Sequence, residues 1–143
     1  MTTDVAIAPG SASGELPRLR SLAFTVHGTP IPKARARKGR GNHWHTPAAT
    51  RKYETQIGWT ARAALSALEG PRWPLDARYR VECAIYTPDA RARDCSNILK
   101  SVEDAMNEIV FNDDSQVIET ATLKRIDRDD PRIDVRIYVL ETP

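Results

Sequence analysis

One stretch of this chain dictates a packed core. Ile98, Leu99, Val102, Ala105, Met106 and Ile109 cluster within about 120° of a helical wheel, the apolar stripe of an amphipathic helix about 12 to 14 residues long. Such a face must be covered, and the flanking sequence supplies the cover. Ser21 to His27 alternates Leu22, Phe24 and Val26 against Ala23, Thr25 and His27, the period of a half-buried strand that Gly28, Pro30 and Pro32 end. Arg78 to Tyr86 places Tyr79, Val81, Cys83 and Ile85 on one face, and Pro88 closes that strand. Two more strands are expected at Gln116 to Ile126 and Arg132 to Leu140, with Asp127 to Pro131 as a hairpin loop. A first helix is expected after Thr46-Pro47, Thr capping and Pro in the first turn. Its stripe is Tyr53, Ile57, Ala61, Ala64, Leu65 and Leu68, and Gly70-Pro71 stops it. Single aromatics beside an amphipathic helix are more often packing than ligand contacts, so Trp59 and Trp73 are expected in or beside the core.

Strand, basic loop, helix, strand, helix, strand, strand is an α+β order: a small mixed or antiparallel sheet of about four strands packed with two main helices, not a doubly wound α/β fold. A length of 143 residues suits one such domain, expected over residues 19–143. Residues 1–18 read as a flexible leader, because Met1 to Gly14 is rich in Thr, Ala, Ser, Gly and Pro and lacks the charged and apolar regions of a secretory signal. No apolar run approaches the ~20 residues of a membrane span. Cys83 and Cys95 lack the spacing of a zinc site and suit a reducing cytoplasm. No Gly-x-Gly-x-x-Gly or Walker-type motif suggests a nucleotide cofactor.

The net charge of +2 is small but unevenly spread. From Lys33 to Tyr53 there is no acidic residue, while Lys33, Arg35, Arg37, Lys38, Arg40, Arg51 and Lys52 surround His43, Trp44 and His45. A basic window of this kind is either a solvated loop or a phosphate-binding surface. On the second helix Asn97, Lys100 and Asp104 project opposite the apolar stripe, with Asp94 just before the helix and Asp113 and Asp114 just after it. The helix ends are ~20 Å apart, so Asp94 and Asp114 share an ion only if the chain folds back after the helix. Such a fold-back follows if the strand opening at Gln116 runs antiparallel to the helix beside the Arg78 strand. Each piece also has a plain structural use: Asp94 as a cap, Lys100 with Asp104 as a surface pair, and Asn112-Asp113-Asp114 as a turn.

Taken together, Asp94, Asn97, Lys100, Asp104, Asp113, Asp114, Gln116 and Val117 resemble the D-x-D-N-x-x-K-x-x-x-D helix and following D-D-x-Q-V of the RusA family of Holliday-junction resolvases. Phe24, Val26, Gly28, Pro30, Pro32-Lys33, Arg35, Arg37, Thr46-Pro47 and Tyr53-Glu54 extend the resemblance toward the start of the chain. It implies a homodimer that binds four-way junctions and uses Mg²⁺, with Mn²⁺ as a substitute, to nick symmetric strands. By the same resemblance Asp94 and Asp114 are metal ligands with Asp113 beside them, Lys100 is a catalytic cation, and Ser96, Asn97 and Asp104 support the site. The resemblance further implies that Lys33, Arg35, Arg37, Lys38, Arg40 and Arg51 contact DNA phosphates. One departure stands out: Ser96 occupies the position of the family's second acidic residue, where a serine either caps the helix or weakly assists an ion. A catalytically silent branched-DNA-binding protein is therefore the alternative. A weaker third reading has the basic window bind RNA or protein, with a purely structural acidic row.

Overall fold

The computed structural model describes residues 20–34, 37–42, 44–45, 47–70 and 72–140, so the expected leader lies outside the described residues. Strand β1 (Ser21–His27) is followed by a small hairpin of β2 (Arg37–Lys38) and β3 (Trp44–His45), then by helix α1 (Ala48–Ser66). Strand β4 (Arg78–Thr87), helix α2 (Cys95–Met106), strand β5 (Val117–Ile126) and strand β6 (Arg132–Leu140) complete the order. The main sheet runs β1-β6-β4-β5, with β6 antiparallel to both β1 and β4 and with β5 parallel to β4. This is the expected α+β class with a mixed four-stranded sheet.

Both helices cover one face of that sheet. Leu22, Phe24 and Val26 of β1, Tyr79, Val81, Cys83 and Ile85 of β4, and Ile133, Val135 and Ile137 of β6 meet Tyr53, Ile57 and Ala61 of α1 and Ile98, Val102 and Met106 of α2 in one buried cluster. Full burial of one such large apolar side chain contributes roughly 1.5–3 kcal/mol, so this face supplies most of the folding drive. Helix α1 lies against α2 and the turn after it, where a Cβ at Gly58 would stand 3.6 Å from the Ala105 carbonyl oxygen and 3.2 Å from the Ile109 Cδ1. Among the described residues no helix is long and apolar enough to cross a membrane.

Several expectations are corrected. Part of the basic window, expected as a loop, pairs as the β2–β3 hairpin in the register Arg37↔His45 and Lys38↔Trp44. Helix α1 begins at Ala48 with Pro47 as its flanking residue and no side-chain cap, and Thr46 lies outside the described residues. It ends at Ser66, before Gly70, which leaves Leu68 beyond the helix and exposed. Trp73 does pack against the core, its ring 5.7 Å from that of Tyr79. Trp59 does not: it is 69% exposed, because it projects away from the stripe formed by Ile57 and Ala61.

Strand β4 is buried on both faces rather than one: Ala84 and Tyr86 form a small second cluster with Leu123 on the helix-free side, where the Arg132 guanidinium lies 3.9 Å from the centre of the Tyr86 ring. Helix α2 stops at Met106, so Ile109 packs from a turn and not from the helix. The Asp127 to Pro131 segment is not a hairpin loop. It passes the end of β4, where the Asp127 N–H donates to the Thr87 carbonyl at 2.8 Å, and β6 then enters between β1 and β4. The Pro131 carbonyl accepts from the N–H of Gly28, whose φ of 108° is open to glycine at little cost.

Candidate active site

The parallel pairing of β4 and β5, from Tyr79↔Val117 to Thr87↔Ile126, requires α2 to carry the chain back along the sheet between them. Residues 107–116 then turn the chain again. Val110 and Phe111 anchor this turn by complete burial, with the Phe111 ring 5.7 Å from that of Tyr79. Gln116 pins it from the other side. Its Oε1 accepts from the N–H groups of Asn112 at 2.7 Å and Asp113 at 3.1 Å, while its Nε2 donates to the carbonyls of Leu75 at 3.1 Å and Ala77 at 2.8 Å. Asp113 caps the short 3₁₀ turn Asp114–Gln116 by accepting from the Ser115 N–H, and hydrogen bonding from the Ser115 side chain, then from its N–H, holds the carboxyl below the usual carboxylate range.

The outcome is the expected fold-back. Asp114 does not stay at the far end of α2 but lies beside its middle, where the Lys100 ammonium donates to its carboxylate at 3.0 Å. Lys100 is six residues from Asp94, roughly 9 Å of helix axis in place of the ~20 Å between the helix ends. It also reaches Asp104 at 3.1 Å, and Asp104 in turn meets Lys33 at 3.1 Å. Lys33 closes the row on Glu54 of α1 through a very short ion pair. Carboxylates and ammonium groups thus alternate as Glu54, Lys33, Asp104, Lys100, Asp114.

The electrostatics follow from these contacts. Hydrogen bonds to Asp114 and Asp104 hold the Lys100 ammonium above its ordinary range. Burial alone would lower Lys33, yet its hydrogen bonds to Glu54 and Asp104 outweigh that and leave it raised. Glu103 is pushed up by burial, against the opposing pull of Lys100. Both lysines are therefore charged throughout the neutral range.

Asp94 sits at the N-terminus of α2 as its cap. Its Oδ1 accepts from the N–H of Ser96 at 2.8 Å and of Asn97 at 3.4 Å. The cap is therefore Asp94 and not Ser96, which lies exposed in the first turn. The Asn97 carbonyl accepts from the Lys33 N–H, which ties the segment after β1 to the same helix. Of the basic residues, Lys33 is mostly buried in the ion-pair row, Lys38 and Arg40 are exposed on the hairpin, and Arg51 is exposed on α1. Arg37 lies in β2, and Arg35 and His43 fall outside the described residues.

Among the described residues no group of three or more His, Cys, Asp or Glu side chains converges as a metal cage. Mg²⁺ rarely requires one: it usually takes one or two carboxylates, with waters and substrate phosphate oxygens completing the shell. Asp94 before α2 and Asp114 beside Lys100 offer hard oxygen donors of the kind such an ion takes. Three further residues take part: Glu54 and Gln116, which carry the resemblance without an expected role in the site, and Glu103, which carries neither. Glu54 anchors Lys33, Glu103 adds a carboxyl beside Lys100, and Gln116 positions the turn that carries Asp114. Glu103 had a sequence signal, its i+3 spacing from Lys100, whereas the Glu54–Lys33 pair exists only through tertiary folding.

Comparison with known proteins matches the same span. Residues 27–138 fit the family model described as Endodeoxyribonuclease RusA. An uncharacterized protein YqaN of Bacillus subtilis (strain 168) is 23% identical over 140 residues, which cover 81% of this chain and 94% of that protein. The crossover junction endodeoxyribonuclease RusA of Aquifex aeolicus (strain VF5) is 26% identical over 116 residues, covering 80% of this chain and 88% of its own length. The match spans the hairpin, both helices and most of the sheet, and with it the entire row from Lys33 to Asp114, so the chain belongs to the RusA endodeoxyribonuclease family.

Proposed function

We propose that this protein is a Mg²⁺-dependent, structure-selective endonuclease that resolves Holliday junctions and related branched DNA, acting as a homodimer in the cytoplasm. The observation that carries this reading is the 3.0 Å contact between Lys100 and Asp114, which joins the two separated motifs of the sequence in one place. Asp94 and Asp114 are the residues that would hold the ion, with Asp113 adjacent, and Mn²⁺ would substitute by its charge and ligand preference. The chemistry such an ion supplies is charge neutralisation and polarisation at a phosphodiester undergoing attack by water.

The chain's own residues do the rest. The Lys100 ammonium, held by Asp104, stands ready where negative charge grows on the phosphate, and its orientation is set before substrate arrives. Asp104 is itself held by Lys33, so Lys33 acts as a positioning residue more than as a free phosphate contact. Asn97 lies exposed on the same helix, beside Ser96. Lys38, Arg40 and Arg51, with Arg35 and Arg37 of the same window, supply phosphate contacts whose affinity falls steeply with salt. A two-fold symmetric dimer suits a two-fold symmetric junction and places one nick on each of two strands.

Cleavage of a labelled four-way junction beside a linear duplex, with Mg²⁺ or Mn²⁺, tests the reading. Wild type is expected to nick the junction selectively, and Asp114→Asn to bind it without nicking. Cleavage by Asp114→Asn at the wild-type rate overturns the assignment of Asp114. Ser96 favours a second reading, a branched-DNA-binding protein without cleavage, because it removes a negative charge from the family's pattern. Tight junction binding without nicking in either metal, together with cleavage gained by Ser96→Asp, would establish that alternative.

A further inference from the structure

Helix α1 carries a second exposed stripe besides its core face. Arg51, Thr55, Trp59 and Arg62 follow one another at helical spacing and line an open groove of about 490 Å³ against Ala105 and Ile109. Trp59 is 69% exposed while its neighbour Gly58 is buried, so the indole contributes little to the core. The stripe from Arg51 to Arg62 is roughly 16 Å long, the length of about five base steps at about 3.4 Å each.

The charge of the groove selects its occupant. Neither Arg51 nor Arg62 has an acidic partner among the described residues, while the carboxylate in the groove, Glu54, is bound by Lys33. An aromatic face between unneutralised guanidinium groups is the composition that binds single-stranded nucleic acid, with arginines on the backbone and a base stacked on the ring. A second copy of this chain fits less well, since a two-fold interface centred here would set the arginine rim against itself. The groove is also continuous with the acidic row: Glu54 belongs to both, and Trp59 lies five residues further along the helix, roughly 8 Å.

We propose that Trp59, flanked by Arg51 and Arg62, is a stacking platform for an unpaired DNA base, and that it gives the protein a preference for DNA whose helix is interrupted. The proposal rests on the reading of this protein as a branched-DNA nuclease for its substrate class, but not for its test. Binding is measured in EDTA, where no cleavage is needed, with labelled DNA containing a short single-stranded gap and with a continuous duplex of the same length. Wild type is expected to prefer the gapped DNA. Trp59→Ala should weaken gapped-DNA binding about ten-fold and leave duplex binding unchanged, while Trp59→Phe retains most of the preference. Because Trp59 is exposed, both variants should keep the wild-type circular dichroism and melting curve.

Equal binding of the two DNAs by wild type, or equal losses on both in Trp59→Ala, overturns the proposal. So does a change of sedimentation coefficient in Trp59→Ala without DNA, which would assign the groove to contact between copies. Absence of cleavage in any metal, with a Trp59-dependent preference intact, refutes the nuclease reading alone. Junction cleavage without that preference refutes the stacking role alone.

Discussion

Replacing Gln116 tests whether the acidic centre depends on a single amide. Its side chain makes four hydrogen bonds, at 2.7 and 3.1 Å to the Asn112 and Asp113 N–H groups and at 3.1 and 2.8 Å to the Leu75 and Ala77 carbonyls. At a net value of about 0.5–1.5 kcal/mol each, with some replacement by water, Gln116→Ala should cost about 2–4 kcal/mol. For a domain of this size that lowers the melting temperature by roughly 7–15 °C. Gln116→Glu is the sharper variant, because it keeps the acceptor pair but sets a carboxylate against two carbonyl oxygens. Its folded-state pKa should therefore lie above its unfolded value. The protonated form is then the one the fold favours, so the deficit relative to wild type is largest above that folded pKa and shrinks as the pH falls through it. Urea denaturation at pH 7 and at pH 4.5 measures both effects, and junction cleavage reports whether Asp114 has moved. A Gln116→Ala stability within about 0.5 kcal/mol of wild type would refute the reasoning, as would a Gln116→Glu deficit that grows on acidification.

Substitutions at three further positions separate structure from chemistry. Asp94→Ala removes the α2 cap and should cost about 1 kcal/mol in urea denaturation, whereas Asp94→Asn preserves the cap. Under the proposed function Asp94→Asn also abolishes cleavage, and an active, stable Asp94→Asn protein would leave Asp94 with its capping role alone. Glu108 holds a φ of 64° in the turn after α2, so Glu108→Gly should raise stability by up to about 1 kcal/mol; a lower melting temperature would mean its side chain matters more than its backbone. Gly58→Ala should be nearly neutral, since a gain in helix propensity of about 1 kcal/mol opposes the displacement of the Ile109 side chain. Gly58→Val adds branches in the same gap and should cost about 1–3 kcal/mol, and a loss no greater than that of Gly58→Ala would show the helices free to part.

Local pattern was enough for α2, whose apolar stripe recurs at helical spacing, and for β1 and β6, whose alternation matches their observed limits. It was not enough for neighbours. Nothing in Asp127 to Pro131 distinguishes a hairpin from a crossing past β4, because strand choice is decided by which faces remain to be buried. The second buried face of β4 is equally non-local: Tyr86 is covered by Leu123 and Arg132, which arrive from β5 and β6. In the site the acidic and basic groups could be named in advance, but Lys33 was grouped with the phosphate-binding residues because its partners Glu54 and Asp104 are remote in sequence. Trp59 did carry a local signal. It stands two residues from both Ile57 and Ala61, so helical periodicity sets it outside their stripe.

The ion-pair row has a property that its members taken singly do not. Lys100 is half-exposed, and each of its contacts with Asp104 and Asp114 is a surface pair of the kind worth about 0–1 kcal/mol. Giving up one of them is therefore cheap, while the other keeps the ammonium in place. Lys33, three-quarters buried with Asp104 and Glu54 around it, is bound more firmly and fixes Asp104 against α1. The row is thus graded, rigid where it joins the two helices and yielding at Asp114. Under the proposed function, Asp114 at the yielding end would exchange its lysine for a cation at little cost to the fold, and the Lys100 ammonium, still held by Asp104, would stay within reach of the anion that cation brings.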